Sequence, residues 1–120
     1  MTQPTLFILY VDQPLASAAF YATLLGCEPV EAQETFAMFR LDSGVSLGLW
    51  SRHTVVPAPG AAAGGGELAF HVEDVDAVYR DWVARGLPIL QQPAEMDFGR
   101  TFTAQDPDGH RLRVYRMARA

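Results

Sequence analysis

Lysine is absent from this 120-residue chain, and all nine basic residues are arginine. A lysine nucleophile and Schiff-base chemistry are thereby excluded. Cysteine is nearly absent as well. The single Cys27 rules out an intramolecular disulfide and any zinc site built from several thiolates. No apolar run approaches the roughly 20 residues of a membrane span. The polar start Met1-Thr2-Gln3-Pro4 has no basic segment ahead of its apolar stretch, unlike a secretory signal. A cytoplasmic location is the expectation. Basic charge is also in deficit, 9 residues against 14 acidic ones, for a net charge of −5. The basic stripe that a nucleic-acid partner requires is missing. What is there is 49% hydrophobic and 11% aromatic, the profile of one folded domain that buries roughly two thirds of its unfolded surface.

The chain repeats itself. Thr5 to Val11 and Glu67 to Val72 are short apolar runs that read as buried strands. Each is followed by an acidic residue able to cap a helix, Asp12 and Asp74. The second helix carries Val75, Val78, Tyr79, Trp82 and Val83 at the spacing of one apolar stripe. The first carries Leu15, Ala18, Ala19, Ala22 and Leu25, with Phe20 and Tyr21 beside them. Both end at a glycine, Gly26 and Gly86, suited to a left-handed C-terminal turn. A proline and strand-like sequence follow each. Thr35 to Leu41 and Val45 to Ser51 then form a hairpin over Asp42-Ser43-Gly44. Thr101 to Gln105 and Arg111 to Arg116 form another over Asp106-Pro107-Asp108-Gly109. The order strand–helix–strand–strand–strand occurs twice, an α+β arrangement. Module one spans 5–52 and module two 67–117, with a flexible linker at 53–66 rich in glycine, alanine and proline.

The Phe20-Tyr21…Leu25-Gly26 helix end, the Asp106-Pro107-Asp108-Gly109 turn and the module order together resemble the vicinal oxygen chelate superfamily. That superfamily includes glyoxalases, ring-cleaving dioxygenases, fosfomycin-resistance enzymes and bleomycin-binding proteins. The resemblance runs from about Leu6 to Tyr115 and implies one domain over 1–120, with two βαβββ modules whose mixed sheets curl into half-barrels enclosing a groove. Glu28-Pro29-Val30, Leu49-Trp50-Ser51, Phe98-Gly99-Arg100-Thr101-Phe102 and Asp106-Pro107-Asp108-Gly109-His110 are similar to the branch containing phenazine-antibiotic resistance proteins. That likeness implies binding of a planar aromatic antibiotic without a reaction on it.

Metal-dependent members of the superfamily take one ligand from each of four strands. The resemblance places those positions at Leu6, Gly48, Glu67 and Arg113. Leucine and glycine offer no donor, and arginine stays cationic, so neither a metal nor another cofactor is expected. His53, His71 and His110 do not form a ligand cluster. His110 beside its turn reads as structural. His71 is either a packed groove wall or a ligand contact.

Strand alternation gives the groove-facing residues as Leu6, Ile8 and Tyr10; Ser46, Gly48 and Trp50; Glu67, Ala69 and His71; and Arg111, Arg113 and Tyr115. Phe36, Met38 and Phe102 join them if loop geometry gives their strands the same parity. Gly48 is expected to clear space beside Trp50. Glu67 and Arg113 pair either as a structural ion pair or as ligand contacts. The expected ligand-binding set is Tyr10, Trp50, Glu67, His71, Phe102, Arg113 and Tyr115, with no catalytic residue. The leading expectation is sequestration of a phenazine-like molecule by a homodimer. The alternatives are a metal-independent lyase, isomerase or glutathione-dependent detoxifier with Glu67 or His71 as base, and an interaction module with a vestigial groove.

Overall fold

Among the described residues ten short elements follow one another as the same strand–helix–strand–strand–strand series twice over. The structure, a computed structural model, describes residues 2–118. It divides between Ala63 and Gly64, inside the glycine- and alanine-rich stretch, into two compact units. Among the described residues no helix is long and apolar enough to cross a membrane.

The first unit contains β1 (Leu6–Val11), α1 (Pro14–Leu25), β2 (Glu31–Ala32), β3 (Phe36–Arg40) and β4 (Ser46–Ser51). Its sheet runs β1-β4-β3-β2, with β1 parallel to β4 and the other pairs antiparallel. The parallel pair requires the crossover that α1 supplies. Ala37, Phe39, Leu47 and Leu49 alternate onto one sheet face and are buried where α1 contacts β3 and β4. The helix turns Pro14, Ser17, Ala18 and Tyr21 inward. That stripe is rotated from the expected one, and Leu15 is exposed. Asp12 does not cap the helix. Gln13 holds the cap position without a side-chain bond, and Pro14 fills the first turn, where its missing N–H costs nothing. The Asp12 carboxylate instead meets Arg52 at 3.0 Å and His53 at 2.7 Å, tying the end of β1 to the residues after β4.

The second unit contains β5 (Glu67–His71), α2 (Val75–Ala84), β6 (Ile89–Met96), β7 (Gly99–Gln105) and β8 (Arg111–Met117). Its order, β5-β8-β7-β6, repeats the first, and β5 lies parallel to β8. Here the expected cap forms: the Asp74 carboxylate accepts from the Ala77 N–H at 3.0 Å. Val75 and Trp82 are buried, while Val83, at the edge of the expected stripe, is exposed. Phe102 lies fully buried beneath α2, edge-on to Tyr79 and Trp82 with ring centroids 5.4 Å away in each case. Each such ring pair adds about 0.5–1.5 kcal/mol to the burial itself.

Two turns define the β6–β7–β8 meander. Gly99 adopts φ 144°, and a Cβ there would stand 2.1 Å from the Arg116 carbonyl oxygen, so only glycine fits. In the second turn, buried Asp106 accepts from the Asp108 N–H (2.9 Å) and the His110 N–H (2.8 Å), and its other oxygen lies 2.9 Å from His110 Nδ1. His110 is thus structural, as its place beside the turn implies.

Candidate functional site

Each sheet has one face packed on its helix and one face turned away from it. In the first unit the register Ile8–Gly48–Met38 and Tyr10–Trp50–Phe36 puts Tyr10, Trp50, Phe36 and Met38 together on that second face. Phe36 and Met38, whose parity the sequence reading left open, belong with Trp50 because the hairpin closes with Arg40 opposite Ser46. The face is apolar and aromatic. Leu6, Ile8 and Tyr10 are more than one third exposed, and Trp50 is half-buried. The Trp50 ring meets Phe36 edge-on at 5.9 Å.

Gly48 does not open free space here. A Cβ on Gly48 would lie 3.1 Å from Phe36 Cε1 and Cζ and 3.2 Å from Ile8 Cγ1. The missing side chain seats the Phe36 ring, and that ring braces Trp50.

In the second unit the equivalent face is polar. Glu67, Ala69 and His71 pair with Arg111, Arg113 and Tyr115. Thr103 and Thr101 stand opposite Arg113 and Tyr115 on the other side. Arg113 donates through Nε to Glu67 Oε1 at 2.8 Å and through Nη2 to Oε2 at 3.1 Å, a bidentate charge-assisted pair. Its Nη1 reaches Thr101 Oγ1 at 3.3 Å, and the Thr101 hydroxyl spends its hydrogen on the Val114 carbonyl at 2.8 Å. The Arg113 hydrogen bonds hold the Glu67 carboxyl below its ordinary value of 4.5, against the opposing effect of burial. Reciprocally, Glu67 raises the proton affinity of Arg113. Tyr115 stands between two rings, His71 at 5.4 Å and Phe98 at 6.4 Å.

Phe102 is the correction to the expected set. Thr101 and Thr103 take the Arg113 side of β7, so Phe102, opposite Val114, points to the helix side. It belongs to the core under α2 and contributes no ligand surface. Of the remaining six residues, Tyr10 and Trp50 share the face of the first unit, and Glu67, His71, Arg113 and Tyr115 share that of the second. Thr101, Phe36 and Phe98 are additions. Thr101 carries a sequence signal, since counting outward from the Asp106–Gly109 turn pairs Gln105 with Arg111 and hence Thr101 with Tyr115.

On the helix side of the second sheet, a cleft of about 320 Å³ is lined by Glu73, Asp74, Val75, Asp76, Arg100 and Arg116. Arg100 is already engaged there by Asp76 at 2.8 and 2.9 Å and by Glu95 at 3.2 Å. Those bonds lower the Asp76 carboxyl and raise Arg100. This is a clasp between β7 and α2.

A family model described as the glyoxalase/bleomycin resistance protein/dioxygenase superfamily matches residues 4–114. The chain belongs to this superfamily. It is 30% identical over 116 residues to the phenazine antibiotic resistance protein EhpR of Enterobacter agglomerans, covering 92% of this chain and 89% of that one. Among solved structures it is similar to protein ATC0852 of Agrobacterium tumefaciens, with 57% identity, a TM-score of 0.89 and coverage of 99% and 100%. A glyoxalase/bleomycin resistance protein/dioxygenase from Nocardioides matches with 26% identity, a TM-score of 0.81 and coverage of 100% and 87%.

The residues present do not fit the divalent metal that some members of the superfamily hold. Leu6 and Gly48 have no donor atom, Arg113 is a cation, and the Glu67 carboxylate is taken up by that same arginine. Among the described residues no group of three or more His, Cys, Asp or Glu is arranged to hold a metal ion. His53 and His110 are engaged by Asp12 and Asp106, and Cys27 is exposed just beyond the end of α1.

Proposed function

We propose that the protein binds and sequesters a planar aromatic antibiotic or related metabolite of the phenazine type, without metal and without turnover, and so confers resistance in the cytoplasm. The observation that carries this reading is the face of the first unit, where the Phe36 ring, seated over Gly48, braces a half-exposed Trp50. A braced indole with Tyr10 beside it offers a flat ligand a surface already held in place, which lowers the ordering cost of binding. The likeness to EhpR, named as a phenazine antibiotic resistance protein, supports the same ligand class. In this reading Tyr10 and Trp50, on the face of the first unit, stack on the ligand; Glu67, His71, Arg113 and Tyr115 are the polar and edge contacts that the face of the second unit offers by itself.

An enzyme using Glu67 as general base is disfavoured, because a carboxylate held low by Arg113 is a weak proton acceptor at neutral pH. The edge strands β1 and β5 and the exposed Leu6, Phe7, Ile8 and Tyr10 favour pairing with a second copy. A dimer in sedimentation at micromolar concentration is the expected state. The binding reading is tested by titrating the protein with phenazine while following tryptophan emission, then recovering the ligand for mass analysis. Saturable quenching with the ligand mass unchanged, and insensitive to chelators, is the expected result. A changed mass would move the protein to the enzyme class, and failure of every planar tricyclic to bind would remove the reading altogether.

A further inference from the structure

The two helices of the repeat differ on their outward faces. On α2 that face is charged: Arg80, Asp81 and Arg85 are exposed, and Arg85 pairs with Asp81 at 3.1 Å. On α1 none of the 12 residues is charged, although 19% of the chain is. Its inward stripe is Pro14, Ser17, Ala18 and Tyr21. The other side carries Leu15, Ala16, Ala19 and Thr23, all exposed, flanked by half-buried Phe20, Ala22 and Leu24. Leu15 is 47% exposed, and Thr23 turns its hydroxyl back onto the Ala19 carbonyl at 3.2 Å. A helix that is apolar all round is ordinarily covered all round. Here one side is bare.

Charge selects what can cover it. At a net charge of −5, two copies of the chain repel each other where their charged surfaces meet, and the outward side of α1 is a face free of that repulsion. An anionic lipid surface is held by basic residues, whereas α1 has none and is flanked by Asp12 and Glu28. Shape agrees with charge. Leu15, Ala19 and Thr23, spaced at i, i+4 and i+8, form one ridge, the kind that interdigitates when two helices cross. With a two-fold axis at Ala19, Leu15 of one copy falls over Thr23 of the other, a large side chain against a small one.

We propose that a second copy of the chain covers this face, α1 packing antiparallel on α1 across a two-fold axis near Ala19. This rests on the dimer expected above and seats it on the helix.

The test is sedimentation velocity of the wild-type protein and of Ala19→Glu, with circular dichroism to show that the variant, changed at an exposed helical position, is folded. Two carboxylates forced together on the axis are expected to raise the dimer dissociation constant at least about hundredfold. Cross-linking supplies the second readout. In a Cys27→Ser background, Ala19→Cys is expected to form a covalent dimer under mild oxidation, because the axis brings the two positions within the roughly 4.4–6.8 Å Cα separation that a disulfide spans. The native Cys27 pair, at opposite ends of the antiparallel helices and more than about 20 Å apart, is expected to stay uncrosslinked. A dimer that Ala19→Glu leaves intact, or one in which Cys27 cross-links and Ala19→Cys does not, would overturn the α1 seat while leaving dimerisation standing. A wild-type monomer at micromolar concentration would overturn both. Recovery of that monomer with phosphatidylcholine vesicles would then give the face to a lipid surface, and failure to recover it there would give the face to a different protein.

Discussion

Replacing Gly48 by alanine tests the brace beneath Trp50 with a single methyl group. The new Cβ would lie 3.1 Å from two Phe36 ring carbons and 3.2 Å from Ile8 Cγ1, whereas ordinary contact begins near 3.4 Å. Phe36 must therefore retreat by a few tenths of an ångström, and it takes with it the edge-on contact to Trp50 at 5.9 Å. Two effects oppose each other. Alanine is favoured over glycine in a strand by roughly 0.5–1 kcal/mol, while overpacking a fitted site costs about 1–3 kcal/mol. The expected net loss is about 1 kcal/mol, a fall in Tm of roughly 3–5 °C. Urea unfolding gives the stability, and the wavelength of tryptophan emission reports the change around Trp50. A Phe36→Leu background removes the two ring carbons that the methyl meets, so the cost of Gly48→Ala should largely vanish there. The reasoning is refuted if Gly48→Ala stabilises the protein, or if its cost is the same in both backgrounds.

Asp106→Ala should cost about 3–4 kcal/mol in urea unfolding, since it strands two backbone donors and the buried His110 ring; a loss under about 1 kcal/mol would mean the turn closes without its carboxylate. Acid stability follows from the lowered carboxyls of Glu67, Asp12 and Asp76, held down chiefly by hydrogen bonds from Arg113, His53 and Arg100 respectively. A group whose folded pKa lies below its unfolded value stabilises fully above the unfolded value and loses that contribution as pH falls through the folded one. Tm should therefore hold steady above about pH 5 and decline below the ordinary carboxyl values of 3.8–4.5. Glu67→Gln should make that decline shallower; an unchanged acid limb would remove the pair from the account.

Much of the fold is legible because the chain says it twice. The strand–helix–strand–strand–strand order, the Gly26 and Gly86 helix ends and the two hairpin turns each appear in both halves, so a reading of one half checks the other. The equivalence of Leu6 with Glu67 and of Gly48 with Arg113 survives in the sheet registers, where Gly48 pairs with Ile8 and Arg113 with Ala69. The phase of α1 was not legible. Alanines and leucines surround that helix, and only the side chain of Tyr21, fully buried, decides which stripe turns inward. Asp12 misled for a different reason. An acidic residue before a helix resembles a cap, but two cations 40 and 41 positions later compete for the same carboxylate.

The site divides in the same way. The sheet face taken by each residue of β1, β4, β5 and β8 follows from strand alternation alone. Phe102 needed the hairpin count as well, and that count sends it to the helix side opposite Val114. Gly48 offers no open space, because Phe36 on the neighbouring strand β3, two residues along from the partner of Gly48, fills the place of the missing side chain. The hairpin count puts Thr101 on the face of Arg113, but their contact is diagonal, since Thr101 stands opposite Tyr115, and the count alone does not announce it.

The central claim, a stacking site on Trp50, is tested most directly by the affinity of Trp50→Ala for phenazine, with Trp82 as internal contrast. Trp82 is buried against Phe70 and Phe102, so Trp82→Phe should lower stability and leave affinity nearly unchanged. Loss of the Trp50 indole removes a stacking partner contributing about 0.5–1.5 kcal/mol together with its apolar contact area at roughly 25 cal/mol per Å². The account predicts that folded Trp50→Ala binds phenazine at least about tenfold more weakly, close to 1.4 kcal/mol. Wild-type affinity in a folded Trp50→Ala protein would contradict it.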